Sequence, residues 1–217
     1  MTRRKTAKKK TRSAERIRIL DKVMDVRFCN VSGQKFFYGA YRVKIGSSAQ
    51  DFLLFYPVPY KQLRQPVILR LNSACLTGDL FGGDKRCDCR WQLDFAKEYI
   101  SREKNGIILY ALGEDGMGNG VVVKLKAYRI MDERNVGVKK AFQIARAVPE
   151  QRQYHAEAEI LKDLGFSKVR LLTNNPHKIR GLEREGIDVV ERIPIIAKRR
   201  GLKKYLHWKK DDFGHML

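Results

Sequence analysis

Residues 106–134 read GIILYALGEDGMGNGVVVKLKAYRIMDER, and their order of elements decides the fold. Gly106 to Leu112 is a short apolar run, the pattern of a buried strand. Gly113 to Gly120 is a glycine-rich turn, and from about Val121 to Arg134 the chain turns helical. The alternation continues downstream. His155 to Leu164 reads as a helix closed by Gly165, and Lys168 to Thr173 as a strand. Pro176 opens a helix that ends before Gly186, because proline suits the first turn. Val189 to Ile195 is a last strand. Upstream, Trp91 to Glu103 has helical periodicity, with Leu93, Phe95, Ala96, Tyr99 and Ile100 on or near one face. Strand and helix in alternation make the second half α/β.

From about Ile17 to Asn72 the pattern differs. Lys35–Ile45, Asp51–Tyr56 and Val67–Leu71 are short, aromatic and β-branched, punctuated by Gly33, Gly46, Pro57 and Pro59. They predict a small, mostly antiparallel sheet. The expectation is an α+β or α/β chain: an antiparallel β region, then alternating elements, in a single compact domain over 17–217. Residues 1–16 form a basic arm, with eight Lys and Arg against Glu15 alone, and are expected to be disordered.

The 217 residues suffice for one generous domain. No apolar run approaches the roughly 18 residues of a membrane span, and the start lacks a secretory pattern. Four cysteines in a chain this long fit a reducing compartment, the cytoplasm, better than a disulfide framework. A net charge of +21 attracts polyanions, so contact with one through the arm is expected.

Three of the cysteines stand close together: Cys75-Leu-Thr-Gly-Asp79, then Arg86-Cys-Asp-Cys89. Cys75 follows a strand, and Cys87 and Cys89 precede a helix. Gly82 and Gly83 permit the tight turn that Cys-x-Cys needs to place both sulfurs on one ion, and Lys85 and Arg86 favour thiolates. Three readings stand at this point. The cysteines are core residues without metal, or a closed structural site completed by His155, His177 or Cys29, or an open zinc site with a vacant position for chemistry. A charged, glycine-rich loop argues against the core reading, and the open site is the leading expectation.

Around these cysteines the sequence resembles the GTP cyclohydrolase II family. Cys75-Leu-Thr-Gly-Asp79, Arg86-Cys-Asp-Cys89 and Gln92-Leu93 are similar to its zinc motif. Leu171-Leu-Thr-Asn-Asn-Pro-His-Lys178 resembles its nucleotide-contacting strand and loop, and Val190–Pro194 and Gly214–Leu217 its C-terminal pattern. The resemblance runs from about Val67 to the end. It implies hydrolytic opening of the GTP imidazole ring with release of formate and pyrophosphate, as at the start of riboflavin synthesis, by a homodimer using zinc and magnesium. It implies that Cys75, Cys87 and Cys89 hold the zinc. It further implies that Tyr128, in Lys124-Leu-Lys-Ala-Tyr128, sits by the purine, and that Arg152 is a nucleophile or clamp at the α-phosphate, aided by Glu150. Arg70, Gln92, Asp115, Thr173 and Lys178 take up nucleotide contacts.

The match departs in four places. The first two cysteines are one residue further apart than in the family, across Gly83-Asp84-Lys85. Asn72 and Ala74 replace a histidine and a glutamate. Asp115-Gly116-Met117 replaces Glu-Gly-Arg, with Lys85, Arg86 and Arg129 as substitute cations. The chain near Gly137 and before Arg152 aligns with a change of residue and an insertion. Two alternatives therefore stand beside the family reaction. One is a diverged cyclohydrolase that takes another purine nucleotide or stops at a formylated intermediate. The other is a non-catalytic, zinc-stabilised protein that binds nucleotide or RNA.

Overall fold

The computed structural model describes residues 17–29, 35–83, 86–148, 152–196 and 203–217. The basic arm, Lys85 and Glu150 lie outside them. Seven strands form one mixed sheet in the order β1-β2-β3-β5-β4-β6-β7. β1 (Ile17–Cys29), β2 (Lys35–Ile45) and β3 (Ser48–Tyr56) form an antiparallel ribbon. A two-residue turn sets the register of the second pair, with Ile45 opposite Ser48. Alternation places Tyr41, Val43, Phe52, Leu54 and Tyr56 on the buried face.

β4 (Val67–Ser73), β5 (Gly106–Ala111), β6 (Lys168–Leu172) and β7 (Asp188–Ile193) run parallel. The ribbon is not a separate sheet, because β3 pairs antiparallel with β5. Val67–Leu71, grouped by sequence with the antiparallel strands, belongs to the parallel half. Its apolar run, broken only by the buried Arg70, is what a strand covered on both faces requires.

α1 (Leu76–Asp79) is a single turn after β4, and α2 (Cys89–Glu103) covers one sheet face. Ala96 and Ile100 pack there on Ile68, Ile108 and Leu172. α3 (Gly120–Arg134) and α4 (Val138–Ile144) form a small satellite core through Ala127, Met131, Ala141 and Phe142. α5 (His155–Asp163) and α6 (Pro176–Arg184) cover the other face with Ala158, Ile160, Leu161 and Leu182. Asn175 caps α6, its side chain accepting from the His177 N–H at 2.9 Å, and Pro176 fills the first turn. α7 (Lys203–Phe213) packs on α4: the Asp212 carboxylate accepts from the Lys139 N–H at 3.1 Å. α1, α4 and α7 were not expected from the sequence. Among the described residues no helix is long and apolar enough to cross a membrane.

The chain leaves β4 to β5 on one side, and β4 pairs with β6 on the other. The divergence opens a crevice at the carboxyl ends of these strands, the usual ligand position in parallel sheets. Cys75, Leu112–Gly118 and Thr173–Asn175 follow the three strand ends.

Candidate functional site

Cys75 caps α1, Cys89 begins α2, and Cys87 lies in the turn before it. Their three sulfurs lie within 4.8 Å of one another, and Cys75 Sγ to Cys87 Sγ is 4.0 Å. A tetrahedral zinc with bonds of about 2.3 Å needs sulfurs about 3.8 Å apart, so the spacing fits such an ion. Two glycines make room. A Cβ on Gly78 would stand 2.9 Å from Cys75 Sγ and 3.0 Å from Cys87 Sγ, and one on Gly83 would stand 2.6 Å from Cys87 Sγ.

The thiols cannot share negative charge equally without a cation. Hydrogen bonds from the Cys87 and Cys89 thiols pull the Cys75 thiol far below its usual value, outweighing burial, and Lys124 adds to them. Cys87 and Cys89 are pushed up, first by their bonding to Cys75. Among the described residues no fourth His, Cys, Asp or Glu atom joins the group. Cys29 is exposed, His155 pairs with Glu185 at 2.6 Å, and His177 lines the cleft without joining the sulfurs.

The surrounding scaffold fixes this group. Lys124 Nζ donates to Cys75 Sγ at 3.0 Å and to Asp115 Oδ1 at 2.8 Å. The other Asp115 oxygen accepts from the Leu76 N–H at 2.9 Å. Asp79 Oδ2 accepts from the Cys75 N–H at 3.0 Å and the Tyr110 hydroxyl at 2.6 Å.

The cleft beside the sulfurs brings together Arg70, Gln92, Asp115, Tyr128, Arg152, Thr173 and Lys178. Tyr128 lies under two cations, the Arg86 guanidinium at 5.1 Å and Lys124 Nζ at 5.8 Å. Arg152 Nη1 donates to Ser73 Oγ at 3.2 Å, and that hydroxyl donates to Glu114 at 2.5 Å. Lys178 is buried and donates to Leu71 O at 2.6 Å. Thr173 Oγ1 accepts from the Asn175 N–H at 3.0 Å. Arg70 and Gln92 are occupied with protein partners. Arg70 donates to Gln92 Oε1 at 2.7 Å, Asn72 Oδ1 at 3.2 Å and Leu172 O at 3.2 Å.

The family model for GTP cyclohydrolase II matches residues 24–194. The chain belongs to the GTP cyclohydrolase II family. The riboflavin biosynthesis protein RibBA of Aquifex aeolicus (strain VF5) is 45% identical over 154 residues, 70% of this chain and 37% of the relative. The GTP cyclohydrolase-2 of Azospirillum brasilense is 47% identical over 154 residues, 70% of this chain and 39% of the relative. The monofunctional riboflavin biosynthesis protein RIBA 3, chloroplastic, of Arabidopsis thaliana is 37% identical over 153 residues, 70% of this chain and 30% of the relative. The chain thus spans well under half the length of these curated relatives.

The three cysteines and Arg70, Gln92, Asp115, Tyr128, Arg152, Thr173 and Lys178 of this cyclohydrolase II-family chain fall inside the matched range, whereas Lys209, Phe213 and His215, which also line the cleft, follow it. At the departures from the family pattern, Asn72 accepts from Arg70, and Met117 lines the cleft at a φ of 60°. Of the substitute cations, Arg86 lines the cleft, while Arg129 is exposed and pairs with Glu133.

Sequence reasoning missed several charged groups at the site. Lys124 stood four residues before Tyr128, and only the structure brings it to a sulfur. Glu157 is buried in α5; burial first, then the neighbouring Glu114 carboxylate, push its pKa up to about 8. Burial, with Arg70 and Arg152 nearby, holds the Lys178 ammonium well below the usual lysine range. His215 lines the cleft, and burial followed by the Lys209 cation push it down to about 3. Asp88 and Lys209 form a buried ion pair at 2.7 Å. Burial alone would raise Asp88, but Lys209 and Gln92 outweigh it and hold the carboxyl low.

Proposed function

We propose that residues 17–217 form the catalytic unit of a zinc-dependent hydrolase that opens the imidazole ring of GTP, releasing formate and pyrophosphate. The observation that carries this reading is the three-sulfur group lining a cationic cleft at the strand ends. Cys75, Cys87 and Cys89 would hold the zinc, and their spacing and the glycine cradle fit it. When bound, zinc supplies Lewis acidity and lowers the pKa of water near the reacting carbon.

The chain's own residues do the rest. Tyr128, held beneath Arg86 and beside Lys124, presents its ring and hydroxyl to the purine next to the sulfurs. Arg152, steadied by Ser73, clamps the α-phosphate; a guanidinium suits that task, since it stays protonated and donates in a fixed fork. Lys178 and Thr173 sit at the phosphate end of the cleft. Magnesium would travel with the substrate triphosphate. Asp115 holds Lys124 and the Leu76 N–H, so it shapes the wall between turn and sulfurs. Arg70 and Gln92 act as the cleft floor, with their donors and acceptors on each other. Glu150, outside the described residues, remains a proposed aid to Arg152. The unit is proposed to work as a cytoplasmic homodimer, with polyanions as partners of the basic arm.

A second reading is favoured by Met117, an apolar side chain lining the cleft where the family has arginine. It is a cyclohydrolase that takes a related purine nucleotide or stops at a formylated product.

Incubating zinc-loaded protein with GTP and Mg²⁺ and assaying formate and pyrophosphate separates these. Both products are expected. Pyrophosphate without formate, with the C8 carbon retained by mass, supports the second reading. Turnover of no purine nucleotide overturns both and leaves a binding protein.

A further inference from the structure

Asp88 stands between two of the sulfur residues, and its side chain is 1% exposed. A carboxylate so deeply buried is stable only with its charge matched and its oxygens bonded. One oxygen accepts from Lys209 Nζ at 2.7 Å, the other from Gln92 Nε2 at 2.6 Å. Gln92 lies one turn along α2 and accepts in turn from Arg70 of β4, which donates to Leu172 O of β6. A continuous polar chain therefore runs from α7 through the Cys87-Asp88-Cys89 segment to the sheet. Lys209 is its only member from beyond the residues that the family model matches.

We infer that Lys209 is a positioning residue for the metal centre: α7 clasps Asp88 and thereby sets where Cys87 and Cys89 place their sulfurs. This rests on the reading of the three cysteines as a metal site. Asp88 is covalently flanked by both sulfur residues, so movement of its side chain is passed to them directly. Without Lys209 a buried carboxylate would lose its counter-charge. The segment would then swing toward water and spread the sulfurs.

The test is zinc affinity, measured on the full chain by competition with a chromophoric chelator after metal removal. Lys209→Met is expected to weaken zinc binding about 10- to 100-fold, the usual effect of losing a partner behind the ligands. Lys209→Arg, which keeps the charge, is expected to restore most of it. The double variant Lys209→Met with Asp88→Asn removes both charges and guards against misfolding of the single variant. It is expected to keep the wild-type apo unfolding temperature and still bind zinc weakly. Wild-type affinity in Lys209→Met overturns the inference and leaves the metal site standing. Failure of the unaltered protein to bind zinc overturns the metal reading, and the inference with it.

Discussion

β1 leaves Leu20, Val23, Val26 and Phe28 at 41–52% exposure, whereas β4 buries every residue from Val67 to Asn72. The two strands belong to the same sheet, yet none of the cleft-lining residues comes from β1, β2 or β3. A strand covered on both faces cannot shift without disturbing two packed layers, so the loops at its end start from a fixed point. The ribbon, open to water along much of its edge strand, offers no such anchorage. The cleft-lining residues therefore gather where burial is two-sided, and the ribbon extends the same sheet away from them.

The largest expected contrast follows from that difference. Cys87→Ser, at the two-sided end, should abolish zinc retention and bring turnover to background, with folding preserved by circular dichroism. Cys29→Ser, on the exposed edge of the ribbon, should change neither; a loss of zinc there would break the division between the halves.

Next in size is a stability contrast. Leu69 in β4 is fully buried, so Leu69→Ala should cost about 2–5 kcal/mol in denaturant unfolding. Phe28 touches Phe36 and Tyr38 at ring separations of 5.2 and 5.4 Å but is half exposed. Phe28→Ala should cost about 1 kcal/mol, the worth of its aromatic pairs. Equal losses would show the ribbon to be as constrained as the parallel half.

The last expected effect is a pH slope. Glu157 has a folded pKa raised above its unfolded value, so the folded protein keeps a proton that the unfolded chain releases. Its contribution to stability is complete in acid and is lost as pH rises toward about 8. Stability should therefore fall as pH rises from about 5 to about 7. Lys178, held low, acts in the opposite sense toward the alkaline end. Glu157→Gln should flatten the fall, read by unfolding at both pH values; an unchanged slope would detach the effect from this carboxyl.

Much of this was readable in the sequence for local reasons. The β5 strand, α2, α5 and α6 carry their own periodicity and end signals, and Pro176 opens α6 as expected. The cysteine spacing disclosed its geometry because all three sulfurs lie within fifteen residues. What stayed hidden depends on distant packing. The pairing of β3 with β5 joins residues more than fifty positions apart and makes one sheet of two expected regions. The contact of Lys209 in α7 with Asp88 spans 121 positions, and no local pattern announces it. Glu157 looks like a solvent-facing residue of an amphipathic helix until α5 is laid against the sheet.

The central claim is that three cysteine sulfurs hold a zinc ion that no fourth protein sulfur completes. Zinc X-ray absorption on the purified protein tests it most directly. Three sulfurs at about 2.3 Å and one lighter oxygen neighbour are predicted. Four sulfurs, a histidine in the fourth place, or no bound zinc would contradict it.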